Sequence, residues 1–274
     1  GADREPRVEA GPRVVAAQLV APGRAEQALP VKAGKHGRDA LVGRDRAGPL
    51  PARAVAPGDT QRGLSVLRVE LQRGVELRLG TVADAALADG FARVVLATGA
   101  RPYMPPLPPL PGMRVVQAWD AILDPSAVPA DGLALVLDWG GDWSGLDAAE
   151  ALAVRGRRVA LASASPVAGE TLHQYQRAAY LARLDRRDVA LLPHRELAVD
   201  GDGVVLRNIY SGRLAPLPEG TTTLVLAQGR VPDDDLWPAL EGRPGVIRVG
   251  DVLGPRSMEE AVLEGGAAVL AAAR

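Results

Sequence analysis

Leu133-Ala134-Leu135-Val136-Leu137, then Asp138-Trp139-Gly140-Gly141-Asp142-Trp143-Ser144-Gly145, then Leu146 to Val154, is the stretch on which the fold turns. Its opening apolar run marks a strand buried on both faces. A glycine-rich turn follows, and the helix-compatible stretch from Leu146 to Val154 is ended by Gly156. Arg158 to Ala162 then supplies another buried strand and Gln174 to Leu184 another helix. Strand, turn, helix and strand in that order predict a β-α-β unit on a parallel sheet.

Toward the carboxyl end, alternating runs around Leu197, Val204 to Leu206 and Leu214 predict a small antiparallel excursion. Thr223 to Ala227 and Val246 to Val249 read as buried strands, and Met258 to Ala273 as a covering apolar helix. Toward the amino end, Val94 to Ala97 is a strand that exits at Thr98-Gly99, and the proline-rich stretch Pro102 to Pro111 reads as a surface connector. Leu64, Leu67 and Leu71 share a helical face closed by Gly74, and Val75, Leu77 and Leu79 alternate as a strand. The first sixty residues mix Arg, Ala, Gly, Pro and Val without period, and no strand of useful length stands out there. No internal repeat has a solenoid period.

A chain of 274 residues, 47% hydrophobic and 24% charged, has enough apolar material for two modest α/β cores. A formal net charge of −1 gives no overall attraction for nucleic acid or an anionic membrane. The absence of cysteine excludes disulfides, thiol catalysis and thiolate-held zinc or iron-sulfur centres within the chain, and three scattered histidines argue against a metal site. No apolar run approaches the roughly twenty residues needed to cross a bilayer, and no signal peptide opens the chain, so a cytoplasmic location is expected. Gly1 in place of Met suggests excision from something longer. A homo-oligomer is allowed by this composition.

Ligands of parallel α/β sheets sit beyond the carboxyl ends of strands, where glycines let backbone amides approach phosphate. Three places fit. The turn Gly140, Gly141, Trp143, Ser144 and Gly145 reads as a pyrophosphate cradle, or as a glycine-rich turn that binds nothing, and its spacing is not a plain GxGxxG. Ala97, Thr98 and Gly99 would let the chain pass close to a dinucleotide, or form an ordinary strand exit; Gln228-Gly229 after Ala227 repeats the style. Gly250 and Asp251 could accept ribose or ribityl hydroxyls, or the Asp could cap a helix; Pro255, Arg256 and Met258 then open a helix whose free amides could face a flavin or phosphates.

These signals in this order resemble the carboxyl-terminal region of the trimethylamine dehydrogenase and 2,4-dienoyl-CoA reductase family of NADH:flavin oxidoreductases. The likeness runs from about Gly58 to the end and is carried by Val94-Val95-Leu96-Ala97-Thr98-Gly99-Ala100-Arg101-Pro102, by Gly141 to Gly145 with Ala149-Glu150, and by Gly250-Asp251 with Pro255-Arg256. The resemblance implies an α/β architecture of two Rossmann-like dinucleotide-binding domains, three-layered on a parallel sheet, the second inserted in the first. Residues 58–128 and 222–274 would form the FAD or ADP domain, residues 129–221 the NAD(P)-binding-like domain, and residues 1–57 an atypical start. It also implies FAD (or ADP) and NAD(P)H as cofactors. An upstream FMN-binding barrel with a 4Fe-4S cluster would complete the polypeptide and carry the substrate chemistry. The whole would pass electrons between NAD(P)H, or an amine or enoyl substrate, and flavin; this segment alone would be inactive, and no catalytic acid or base is transferred to it.

Two departures stand out. The second strand of the β-α-β unit ends at Ala162-Ser163, with no acidic residue for a ribose 2′-hydroxyl. Residues 1–57 also lack the family's opening glycine fingerprint. A hypothesis that accounts for the second departure is a pair of compensating frame shifts. Read one base later, possible codons for Pro22 to Glu26 permit Pro-Ala-Gly-Leu, and those for His36 to Val42 permit Thr-Val-Val-Thr-Leu-Trp. Sequencing the gene is expected to show codons of that kind, and codons unable to encode those strings one base on would end the idea. The competing readings are a degenerate, non-catalytic α/β scaffold and a stand-alone NAD(P)H-dependent flavin reductase, whose thiol version the missing cysteines exclude.

Overall fold

A computed structural model of the chain describes residues 14–17, 78 and 82–272. The chain divides into two units, one comprising Gly1–Thr98, Asp234–Val249 and Val262–Arg274, the other Gly99–Asp233 and Gly250–Ala261. Strands and helices are numbered along the chain.

The first unit holds a parallel sheet of β1 (Val14–Ala17), β2 (Arg93–Leu96) and β13 (Val246–Arg248), with β2 in the middle. Val15 and Val246 both stand opposite Val94. The apolar side chains of Val94, Val95 and Leu96 are buried, as a central parallel strand requires. The short helix α1 (Ala85–Ala88) starts where the Asp84 carboxylate accepts from the Leu87 amide at 2.8 Å. At its other end Arg243 donates to the Ala88 carbonyl and the Asp89 carboxylate, each at 2.8 Å. β1 lies within the first sixty residues, where no strand of useful length stands out in the sequence. Four residues are too short to stand out in sequence, whereas parallel pairing with β2 defines them as a strand. The expected helix at Leu64 to Leu71 and strand at Val75 to Leu79 lie outside the described residues, Arg78 apart.

The second unit contains a five-stranded parallel sheet. It is built from β4 (Arg114–Gln117), β5 (Leu133–Asp138), β6 (Arg158–Ser163), β7 (Ala190–Pro193) and β11 (Thr221–Ala227), in the order β4-β11-β5-β6-β7. Every residue of β5 is buried, because its two faces serve different layers. Val136, Leu161 and Val225 point toward helices α2 (Ala118–Leu123), α3 (Trp143–Val154) and α4 (Gln174–Asp185). Leu135, Leu137, Leu224 and Leu226 point the other way, onto Leu197, Val204 and Leu206 of an antiparallel sheet. That sheet comprises β8 (Arg195–Asp200), β9 (Gly203–Asn208) and β10 (Leu214–Ala215). The layers are therefore helices, parallel sheet and antiparallel sheet. Leu107 and Leu110 of the proline-rich stretch also pack on that second face, so it covers the core rather than merely connecting.

The pairing of β11 with both β4 and β5 moves the expected boundaries. Residues 99–128 and 222–233, together with Gly250–Ala261, fall in the inserted unit rather than in the flanking one. A short apolar strand does not announce its partner; register against a neighbour decides which sheet takes it. The chain re-crosses through the two-stranded antiparallel ribbon of β3 (Ala100–Pro102) and β12 (Arg230–Pro232). It ends in α6 (Met258–Ala272), after the short α5 (Trp237–Leu240). Among the described residues no helix is long and apolar enough to cross a membrane.

Candidate functional site

From β5 the chain order runs through β6 to β7 in one direction, while β11 and β4 lie on the other side of β5. The reversal falls between β5 and β11, and such a switch point is where open α/β sheets bind ligands. Its walls are the segments that follow those two strands. Trp139, 60% exposed, donates its amide to the Ala227 carbonyl, and the Gln228 side chain donates to the Leu137 carbonyl at 2.8 Å. A Cβ on Gly229 would lie 3.9 Å from the Trp139 ring.

The turn after β5 is organised by two carboxylates. Asp138, 2% exposed, accepts from the Gly141 amide at 2.9 Å through Oδ1, while Oδ2 is buried without a partner. Burial pushes its pKa from 3.8 to about 7; the Gly141 amide pulls it down and the Asp142 carboxylate pushes it up. Asp142 is the N-cap of α3 and accepts from the Ser144 amide at 2.8 Å. The helix thus starts at Trp143, earlier than the expected Leu146, because this side chain satisfies an amide of the first turn. Gly145 is bare for a packing reason: a Cβ there would sit 2.7 Å from both Cβ and Cγ of Asp138. Gly145, Ala148, Ala149 and Leu152 form the buried face of α3. On its other side Trp143 meets the edge of Tyr180 at 5.6 Å, and Glu150 takes a two-pronged ion pair from Arg183 at 2.6 and 2.9 Å. The Arg183 hydrogen bond holds the Glu150 carboxyl below its ordinary range.

The second predicted cluster is likewise tied together. Gly250 and Asp251 lie in a short 3₁₀ turn, Gly250–Val252. The Asp251 carboxylate receives the Arg230 guanidinium on one oxygen and the Arg256 amide, at 3.1 Å, on the other. Arg230 also donates to the Arg256 carbonyl at 2.8 Å. Asp251 therefore anchors the β12 ribbon to the segment holding Pro255 and Arg256, and retains two lone-pair positions for hydroxyl donors. Met258 is 83% exposed at the start of α6, where the Glu260 carboxylate accepts from the Ser257 amide and the Ser257 hydroxyl from the Glu259 amide. Gly99 has φ +80° and nothing within 4 Å of where a Cβ would stand, so its backbone borders open space. Ala97 and Thr98 belong to the first unit. Thr98 is buried, and Ala97 packs with Val95, Val249 and Ala268. The sequence-based reading did not pick out Asp138, Asp142 and Arg230 as organisers. The legible signal was Gly140-x-Asp142-x-x-Gly145, which puts a carboxylate where a dinucleotide turn has its second glycine. Among the described residues no group of His, Asp and Glu is arranged to hold a metal ion.

The parallel sheets, the glycine turn and the switch point define a Rossmann-like nucleotide-binding α/β protein. A family model described as pyridine nucleotide-disulphide oxidoreductase matches residues 56–264, and the chain belongs to that family. A metal reductase of Desulforamulus reducens is 25% identical over 227 residues, covering 72% of this chain and 33% of that protein. Histamine dehydrogenase from Rhizobium sp. 4-9 superposes with a TM-score of 0.63 at 23% identity, over 79% of this chain and 36% of its own. The 6-hydroxypseudooxynicotine amine oxidase of Pseudomonas geniculata N1 also gives 0.63, at 22% identity, over 77% and 34%. 2-Naphthoyl-CoA reductase gives 0.61 at 21% identity, over 76% and 31%. These structural likenesses bear on the fold, and the chain spans about a third of the length of each of these proteins.

Proposed function

We propose that this chain is the nucleotide-binding portion of a flavin-dependent oxidoreductase of the trimethylamine dehydrogenase and 2,4-dienoyl-CoA reductase kind, acting within a longer polypeptide. The observation that carries the reading is the family match across residues 56–264. Family membership implies FAD and NAD(P)H as cofactors. Ala97, Thr98, Gly99, Gly250, Asp251, Pro255, Arg256 and Met258 are the residues assigned to FAD or ADP. Gly99 and Gly254 fit that role, since both border open space where a Cβ would stand. FAD, when bound, accepts and releases electron pairs. The chain's own residues bind and orient: Asp251 offers acceptors for hydroxyls, and Arg230 keeps that carboxylate in place. With no cysteine anywhere in the chain, it forms no redox disulfide of its own. FMN and a 4Fe-4S cluster would belong to an upstream barrel, which would hold the amine or enoyl substrate.

The test is the nucleotide content of the full-length protein. Purified protein is expected to release about one FAD or ADP per chain on denaturation, alongside any FMN from the barrel. The reading fails if this portion carries neither and takes up neither FAD nor ADP on titration.

A further inference from the structure

We infer that the glycine turn of the second unit is closed to the pyrophosphate of NAD(P)H by the chain's own side chains, with Asp142 as the residue that excludes it. This rests on the flavoprotein reading and narrows it: no nicotinamide nucleotide would be seated at this turn.

A pyrophosphate cradle needs free amides at the turn and helix start, bare backbone facing the phosphates, and no competing negative charge. The structure denies all three. The Gly141 amide is taken by Asp138 and the Ser144 amide by Asp142, so the carboxylates hold the donors a phosphate would use. The bare face of Gly141, at φ +62°, is covered by the segment that follows β6. A Cβ there would lie 3.3 Å from Ser165 Oγ and 3.5 Å from the Glu170 backbone nitrogen. Thr171 clamps this segment down, donating both its amide, at 3.1 Å, and its hydroxyl, at 2.9 Å, to the Gly141 carbonyl. The charge is wrong as well. Asp142 sits on the partial positive charge of a twelve-residue helix that would otherwise attract phosphate. The nearby Arg177 is turned to the Glu170 carbonyl at 3.3 Å. At the end of β6, Ser163 bonds Ser165 at 2.6 Å, and the strand closes on Ala162-Ser163 rather than on an acidic residue that would receive a ribose hydroxyl.

The exposed Trp139 and Trp143 flank the turn and provide the readout. Full-length protein saturated with FAD would be titrated with NADH and with NADPH, following tryptophan quenching and heat. Wild type is expected to show no saturable uptake of either. Asp142→Gly removes the charge and restores the second glycine, and it is expected to give saturable binding at least about tenfold tighter than the weakest affinity the wild-type titration would detect, the equivalent of some 1.4 kcal/mol. Glycine at an N-cap costs only a few tenths of a kcal/mol, so the helix survives the change. Asp142→Asn keeps the cap acceptor without the charge and should fall between the two. Saturable NAD(P)H binding by wild type overturns the inference, as does an Asp142→Gly protein that folds and binds no tighter. Flavin retained on the same samples distinguishes either result from a failure of the flavoprotein reading.

Discussion

Asp138→Asn is expected to flatten the pH dependence of stability. The folded chain keeps the Asp138 proton up to about pH 7, while the unfolded chain loses it near 3.8. Between those values the folded state binds more protons than the unfolded state, so the stabilisation is complete below the lower value and is lost as pH rises through the upper one. For this group alone, wild type should lose about 2–3 kcal/mol between pH 5 and pH 8. Asparagine retains the acceptor for the Gly141 amide and has no charge to desolvate, so its denaturant midpoint should stay level over that interval. Equal slopes in the two proteins would mean that Asp138 is not the buried acid described, and that its unpartnered Oδ2 is reached by solvent.

The second large effect is expected at Gly245→Ala. Gly245 has φ +81°, and a Cβ there would stand 2.4 Å from the Ala92 carbonyl oxygen, a backbone atom that cannot swing aside. Its own carbonyl accepts from the Val94 amide at 2.9 Å, so retreat would loosen the pairing of β13 with β2. The left-handed backbone costs an alanine about 1–2 kcal/mol, and the clash adds about 1–3 kcal/mol, for a total of roughly 3 kcal/mol. Gly242→Ala is the control: φ is +76° and nothing lies within 4 Å, so only the backbone cost of about 1–2 kcal/mol remains. Urea unfolding of both variants checks the difference, and equal losses would refute the close approach at Ala92.

Much of the architecture was legible because it rests on local chemistry. The continuous apolar runs at Leu133 and Thr223 read as buried strands, and Gly156 and the Asp142 to Gly145 turn punctuated them. Even the small antiparallel sheet showed in the alternation around Val204. The candidate site was less legible. Glycine at position 145 reads in sequence as room for a ligand, but in the fold the space is filled by the Asp138 side chain. Asp251 reads as an open acceptor until Arg230, twenty-one positions away, is brought to it.

By itself the sequence determined the order of strands and helices, the position of the glycine turns and the absence of any thiol chemistry, because apolar period, glycine and residue type act over a few neighbours. Only the tertiary structure decided that β4 and β11 join the inserted unit's sheet, that Asp138 is a buried acid and that Thr171 closes over Gly141. Each of those depends on register, burial or contact between segments tens of residues apart, and such terms take their value only once the chain has packed.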